Sequence, residues 1–111
     1  QGANLISNVT HNLVESATTI ALVVRHALDV GAEEVEVTAD AEREWVRGIE
    51  QNPTTFTGNA ECTPGYYNNE GQPISESDMF NGSGHPGGPV AFFEFLDAWR
   101  QTGAFAGLSF S

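Results

Sequence analysis

Three histidines, His11, His26 and His85, and one cysteine, Cys62, are the side chains here best suited to hold a metal or to act as base and nucleophile. No histidine stands at the spacing of a metal site such as H-E-x-x-H or C-x-x-C, so a zinc site is not expected. Cys62 is flanked by Glu61 and Pro64, with no cation and no helix N-terminus to activate a thiolate, and it reads as an ordinary half-buried thiol. Phosphate cradles are missing: no G-x-G-x-x-G follows a strand, no G-x-x-x-x-G-K-[ST] occurs, and the sequence contains no Lys. The glycines of Asn81-Gly-Ser-Gly-His-Pro-Gly-Gly88 follow a Pro-rich coil and precede a Pro-initiated helix, a poor context for a nucleotide loop. Asn8-Val-Thr10 and Asn81-Gly-Ser83 match the glycosylation acceptor pattern and are expected to be chance occurrences in Asn-rich loops.

Two segments remain informative. The loop QGANLISNVTHN feeds the start of an apolar helix, where free backbone N–H groups and the helix dipole favour an electron-rich ligand edge, or simply an ordinary cap. The stretch Cys62-Thr-Pro-Gly-Tyr-Tyr-Asn-Asn-Glu-Gly71 gathers aromatic and amide side chains on a polar loop, which is also what a tight turn with two surface tyrosines looks like.

The elements that position these segments follow from the spacing of apolar residues. Residues 1–10 read as a loop. Asn12 and Glu15 form a variant capping box, and Leu13, Val14, Ala17, Ile20, Ala21, Val24, Ala27 and Leu28 then recur at helical spacing until Gly31. A helix so poor in charge is expected to be buried on more than one side. Val35 and Val37 alternate with Glu34 and Glu36 as a short strand with one wet face, and Glu33, Glu34 and Glu36 read as a solvated edge. Thr38 caps a second helix with Asp40 and Glu42 in its first turn and an apolar stripe of Ala41, Trp45, Val46 and Ile49. From residue 52 to 89 the chain turns to Pro, Gly and Asn with no sustained period. A structureless loop of that length exceeds the roughly 12 to 15 residues seen in compact domains, so it must either be functional or be ordered against other protein, and the second is expected. Pro89 then starts a helix with Phe92, Phe93, Leu96 and Trp99 on one face, which Gly103 ends before a short Leu108, Phe110 strand.

Composition limits the partners. With 111 residues there is room for one core. Fifteen acidic residues against four Arg give a net charge of −11, which opposes binding to phosphate backbones or anionic membranes. An apolar share of 40% with seven Phe and two Trp is too rich for a disordered acidic tail. One Cys suits a reducing compartment, so a cytoplasmic location is expected. No run approaches the roughly 20 apolar residues of a membrane span, and no basic-then-apolar signal segment is visible. The sequence starts at Gln1 rather than Met, and it is expected to be a piece of something longer.

Taken in order, the segments resemble the C-terminal part of a flavin-containing Baeyer-Villiger monooxygenase of the cyclohexanone, phenylacetone and steroid monooxygenase type. Gln1-Gly-Ala-Asn with its Ser/Asn-rich loop and long helix is similar to the last loop and helix of the family's FAD domain. Val35-Glu-Val-Thr-Ala-Asp-Ala-Glu-Arg-Glu-Trp-Val46 is similar to its following strand and helix, and CTPGYYNNEGQ with GGPVAFFEFLDAWRQTGAFAGLSFS to the ending of one branch. The resemblance covers nearly the whole chain. It implies an α/β flavoprotein with two dinucleotide-binding domains, of which an isolated piece would be α+β: about three helices, two short strands and a long ordered coil. Residues 1–31 would be the last loop and helix of the FAD domain, 32–51 a strand and amphipathic helix, 52–88 a loop closing over cofactor and substrate, and 89–111 a terminal helix and strand.

By the same resemblance, Leu5, Ser7, Asn8 and Thr10 would line the ketone pocket, and the helix from Asn12 onward would point its N-terminus at the flavin. Gln1, Asn12, Tyr66, Tyr67, Asn68 and Asn69 would contact the cofactors, FAD and NADP. Relatives often carry a Trp in the closing loop where Tyr66 and Tyr67 stand here, so either ring could take that part. The family's two nucleotide fingerprints, its F-x-G-x-x-x-H signature and its flavin-side Arg have no match. They would lie before Gln1, and the chain alone is expected to bind no FAD in the family manner and to be inactive. The implied reaction inserts one oxygen atom beside a ketone carbonyl, with the rest of the flavoenzyme as the chain's main partner. Two other readings stand beside it: a truncated relative serving as a non-redox binding protein or isomerase, in a homo-oligomer that buries its apolar faces, and a structural interaction module whose long loop docks on a partner.

Overall fold

A computed structural model describes residues 8–51, 63–73, 75 and 84–111, with the backbone alone for Tyr66 and Tyr67. The elements run α1 (Val9–Val30), β1 (Val35–Val37), α2 (Ala39–Gln51), a 3-10 turn (Tyr66–Gly71), α3 (Gly88–Thr102) and β2 (Leu108–Phe110). Among the described residues, three α-helices and one two-stranded antiparallel sheet make an α+β assembly, as expected for a piece of a larger protein.

α1 begins one turn before the Asn12–Glu15 capping box predicted from the sequence. Asn8 is the cap: its side-chain oxygen accepts from the N–H of Thr10 (2.9 Å) and of His11 (3.3 Å). Asn12 cannot cap because its own N–H already donates to the Asn8 carbonyl in the helical ladder. Val9 and Thr10 are accordingly helical rather than loop. Gly31 ends the helix at φ 72°, where a left-handed residue lets its N–H reach back to the carbonyls of Ala27 and Leu28.

Contacts climb α1 and α3 in the same direction. His11 meets Phe93 edge-on at 4.6 Å, Glu15 and Thr19 meet Arg100, and His26 stacks on Phe105 just past the end of α3 at 4.1 Å. The two helices therefore lie side by side and parallel, and the chain enters α3 at the end where α1 begins. At the other end, Phe105 and Phe110 meet edge-on at 5.6 Å, and Trp99 closes the turn by donating to the Ala106 carbonyl at 2.9 Å. Phe105 has a φ of 51°, a left-handed conformation held by its ring contacts with His26, Trp99 and Phe110.

β1 pairs with β2 in the register Val35 with Phe110, Glu36 with Ser109 and Val37 with Leu108. The Ser111 carbonyl extends the ladder by accepting from the N–H of Glu33 and Glu34. The single wet face expected for β1 is not what forms: all three of its residues are exposed, so the face that carries Val35 and Val37 is left largely uncovered by the described residues. Glu33, Glu34 and Glu36 are exposed, as expected of a solvated edge. Thr38 does cap α2, its hydroxyl oxygen accepting from the N–H of Ala41 at 3.4 Å. Gly107 must be glycine here: its φ is 86°, and a Cβ would stand 3.0 Å from that of Ala41.

Of the α2 stripe, Ile49 is buried, Ala41 and Trp45 are half-buried, and Val46 is exposed. Trp45 leans on Phe95 and His85, both at 5.9 Å, and on Phe92 at 6.3 Å. Pro89 lies in the first turn of α3 and Gly103 ends it at φ 60°. The apolar side chains fully buried among the described residues are Ala27 and Ile49, a thin core. α1 is buried on the α3 side and not on a second side: Leu13, Ile20, Val24 and Leu28 are all more than half exposed.

Candidate functional site

Two places bear on the expected site: the first turn of α1 and the 3-10 turn. Among the residues singled out from the sequence, Gln1, Leu5 and Ser7 lie outside the described residues, as does Cys62. Asn8 and Thr10 are exposed in the cap and first turn of α1, and Asn12 is half-buried one turn on. No carboxylate occupies that first turn; the neutral Asn8 side-chain oxygen takes the N–H of Thr10 and of His11, and no charge there offsets the positive end of the helix dipole. The turn is fixed from behind by His11, which packs its ring edge-on against Phe93.

The 3-10 turn shapes itself. Asn68 is buried; its side-chain oxygen accepts from the Gly65 N–H at 2.8 Å and its amide donates to the Thr63 carbonyl at 3.1 Å. Asn69 and Glu70 both adopt left-handed conformations, with φ of 54° and 55°, followed by Gly71 at 75°. Asn69 supports this by donating its amide to the carbonyls of Gln72 and Pro73. Asn68 and Asn69 thus build the turn that carries Tyr66 and Tyr67, and Gly71 approaches Pro64 so closely that a Cβ would lie 3.2 Å from its ring.

The histidines stand against aromatic rings: His11, exposed and 3.9 Å from the Glu15 carboxylate, on Phe93, His26 between Phe105 and Phe110, and His85 among Trp45, Phe92 and Phe95. Among the described residues no three His, Cys, Asp or Glu side chains gather as a metal site. Three of the four arginines are already engaged with carboxylates: Arg25 pairs with Asp29 at 2.9 Å, Arg43 with Asp40, and Arg100 with Glu15 at 2.8 Å. An open depression of about 470 Å³ lies between α1 and α3, lined by Thr18, Ala21, Leu22, Arg25, Arg100 and Gln101. It is beside the helices rather than at their N-terminal end. Sequence reasoning missed the Arg100–Glu15 pair, which spans 85 positions and leaves no local signal.

A helix start free of carboxylates, with small polar side chains at Asn8 and Thr10, can face an electron-rich ring edge and hydrogen-bond a small carbonyl.

Comparison with known proteins places the chain. No family model matches, and no solved structure matches. A Baeyer-Villiger monooxygenase of Stachybotrys chlorohalonatus is 37% identical over 110 residues, covering 96% of this chain and 17% of that protein. Baeyer-Villiger monooxygenase 4 of a Dietzia species is 36% identical over 93% of the chain and 16% of its own length. A protein named an FAD-binding monooxygenase in Hypomyces subiculosus is 36% identical over 91% of the chain and 17% of its own length. Over nearly all its residues this chain is therefore homologous to one segment of the Baeyer-Villiger monooxygenases, spanning about one sixth of the length of the relatives it matches.

Proposed function

We propose that the chain is the C-terminal segment of an FAD- and NADPH-dependent monooxygenase that inserts one oxygen atom beside a ketone carbonyl to give an ester or lactone. The observation that carries this reading is the near-complete match of the chain to proteins named for that activity. In the whole protein the flavin would supply oxygen activation with electrons from NADPH.

The part taken by this chain is binding and orientation. The first turn of α1 would face the flavin ring, where its uncompensated dipole favours electron density on the ring. Leu5, Ser7, Asn8 and Thr10 would form one wall of the ketone pocket. Asn12 and Gln1 would lie against the cofactor. Tyr66 and Tyr67 would close over it, on a turn whose shape Asn68 and Asn69 hold. Because α3 is parallel to α1, α3 begins at the same end as the α1 cap that would face the cofactor. Arg25, Arg43 and Arg100 are engaged with carboxylates, so the cofactors' phosphates would be held mainly by residues outside this chain. The chain by itself would be inactive. No helix among the described residues is long and apolar enough to cross a membrane. A single Cys supports a cytoplasmic location.

The test is turnover by the full-length native gene product with NADPH, labelled molecular oxygen and a panel of cyclic and aryl ketones. Esters or lactones carrying one labelled oxygen atom are expected. A folded protein that holds no flavin and returns the ketones unchanged would overturn the reading.

A further inference from the structure

The pair between α3 and α1 is directional in a way that simple helix packing does not require. Arg100 lies in the last turn of α3, with its side chain only 14% exposed, and Glu15 of α1 is 19% exposed. One guanidinium nitrogen donates to the Glu15 carboxylate at 2.8 Å; the other reaches the Thr19 hydroxyl at 3.2 Å and the Glu15 backbone carbonyl at 3.4 Å. Asp97 adds a weaker contact from α3 itself at 3.6 Å. The planar fork therefore grips two successive turns of α1, at a side chain and at the backbone, which the single ammonium of a lysine could not do.

Basic residues in a last helical turn commonly sit near their own helix's terminal carbonyls. Arg100 instead reaches across to the neighbouring helix. A half-buried ion pair often adds little net stability over an apolar pair of the same volume, and the best-attested use of such a pair is to specify register. Glu15 lies seven residues past the Asn8 cap, about 10 Å along the axis, a distance over which a helix behaves as a rigid rod. His11 against Phe93 fixes the same stretch nearer the cap.

We propose that Arg100 is a positioning residue: through Glu15 it sets the register of α1 and thereby aims Asn8 and Thr10 at the ketone and flavin side of the site. This rests on the function proposed above. Arg100 touches neither substrate nor cofactor; its effect passes through α1.

The experiment uses the full-length flavin-loaded protein with Arg100→Met, Arg100→Lys and Glu15→Gln, measuring KM and kcat for a ketone, ester formed per NADPH consumed, and amide exchange at residues 10–19. Arg100→Met is expected to raise KM roughly tenfold and to lower ester per NADPH severalfold, since small displacements near reacting groups are costly. Faster exchange should be confined to the first turns of α1, with Arg100→Lys and Glu15→Gln intermediate in both readouts. Should Arg100→Met fail to fold, Glu15→Gln carries the test with the same signs and smaller size. Faster exchange with unchanged KM and coupling would reduce the pair to a structural brace and overturn the inference. An inactive, flavin-free wild type would overturn the functional reading and this inference with it, whereas an active wild type with unaltered variants overturns the inference alone.

Discussion

The two long faces of α1 are built from different chemistry. Toward α3 the contacts are specific: His11 on Phe93, Glu15 and Thr19 on Arg100, His26 on Phe105 and Phe110. On the opposite face Leu13, Ile20, Val24 and Leu28 stand 65%, 62%, 51% and 72% exposed, with no polar group at those four positions. The first face fixes position and the second provides area without direction. A contiguous apolar row of this kind on a protein surface marks a place where other protein packs. On the function proposed above, that face would pack on the remainder of the enzyme, since the chain spans 17% of the relative from Stachybotrys.

The largest effect should come from charging the apolar face. In the full-length protein Ile20→Asp would bury an unpaired carboxylate, with a cost on the order of 4 kcal/mol and loss of folded, flavin-loaded protein. A melting temperature equal to that of the wild type would show that the face stays in water. Next, Ile49→Ala removes one of two fully buried apolar side chains among the described residues and should cost about 2 to 3 kcal/mol, read by denaturant unfolding. A loss below about half a kcal/mol would mean that α2 is held by Trp45 alone.

Asn68→Ala tests the 3-10 turn, which depends on its own hydrogen bonds rather than on the α1–α3 contacts. The two lost bonds should cost about 1 to 2 kcal/mol locally. Protease cleavage within 63–73 should quicken while the global melting temperature stays put; a global fall would show the turn to be part of the core. The smallest effect belongs to Arg25→Gln, since Arg25 and Asp29 are exposed partners four residues apart on α1. Its cost should be about 0.5 kcal/mol or less and should fade in high salt. A larger, salt-resistant loss would mean that this part of α1 is also covered in the whole protein.

Much of the fold was legible because it rests on local chemistry. Gly31 and Gly103 end their helices in left-handed conformations that glycine adopts without strain, and Thr38 caps α2 as its hydroxyl allows. The cap of α1 was misplaced by one turn because Asn8 and Asn12 are the same residue type, and only the backbone path decides which amide becomes the cap. The exposure of β1 was not legible, since alternation of Val and Glu shows which side chains share a face but not whether anything covers that face. For the site, the family resemblance named Asn68 and Asn69 as cofactor contacts, and the structure adds that their side chains also shape the turn itself. The role of Arg100 leaves no mark in the sequence because its partner is 85 positions away and Glu15 reads locally as half of a capping box.

The central claim is that the chain works as one segment of a larger flavoenzyme. The most direct measurement is the intact mass and visible absorbance of the native gene product purified from its own source. The predicted result is a mass several times the 11.9 kDa of this chain, together with the absorbance of bound oxidised flavin. A folded product of 11.9 kDa with no flavin absorbance would contradict it.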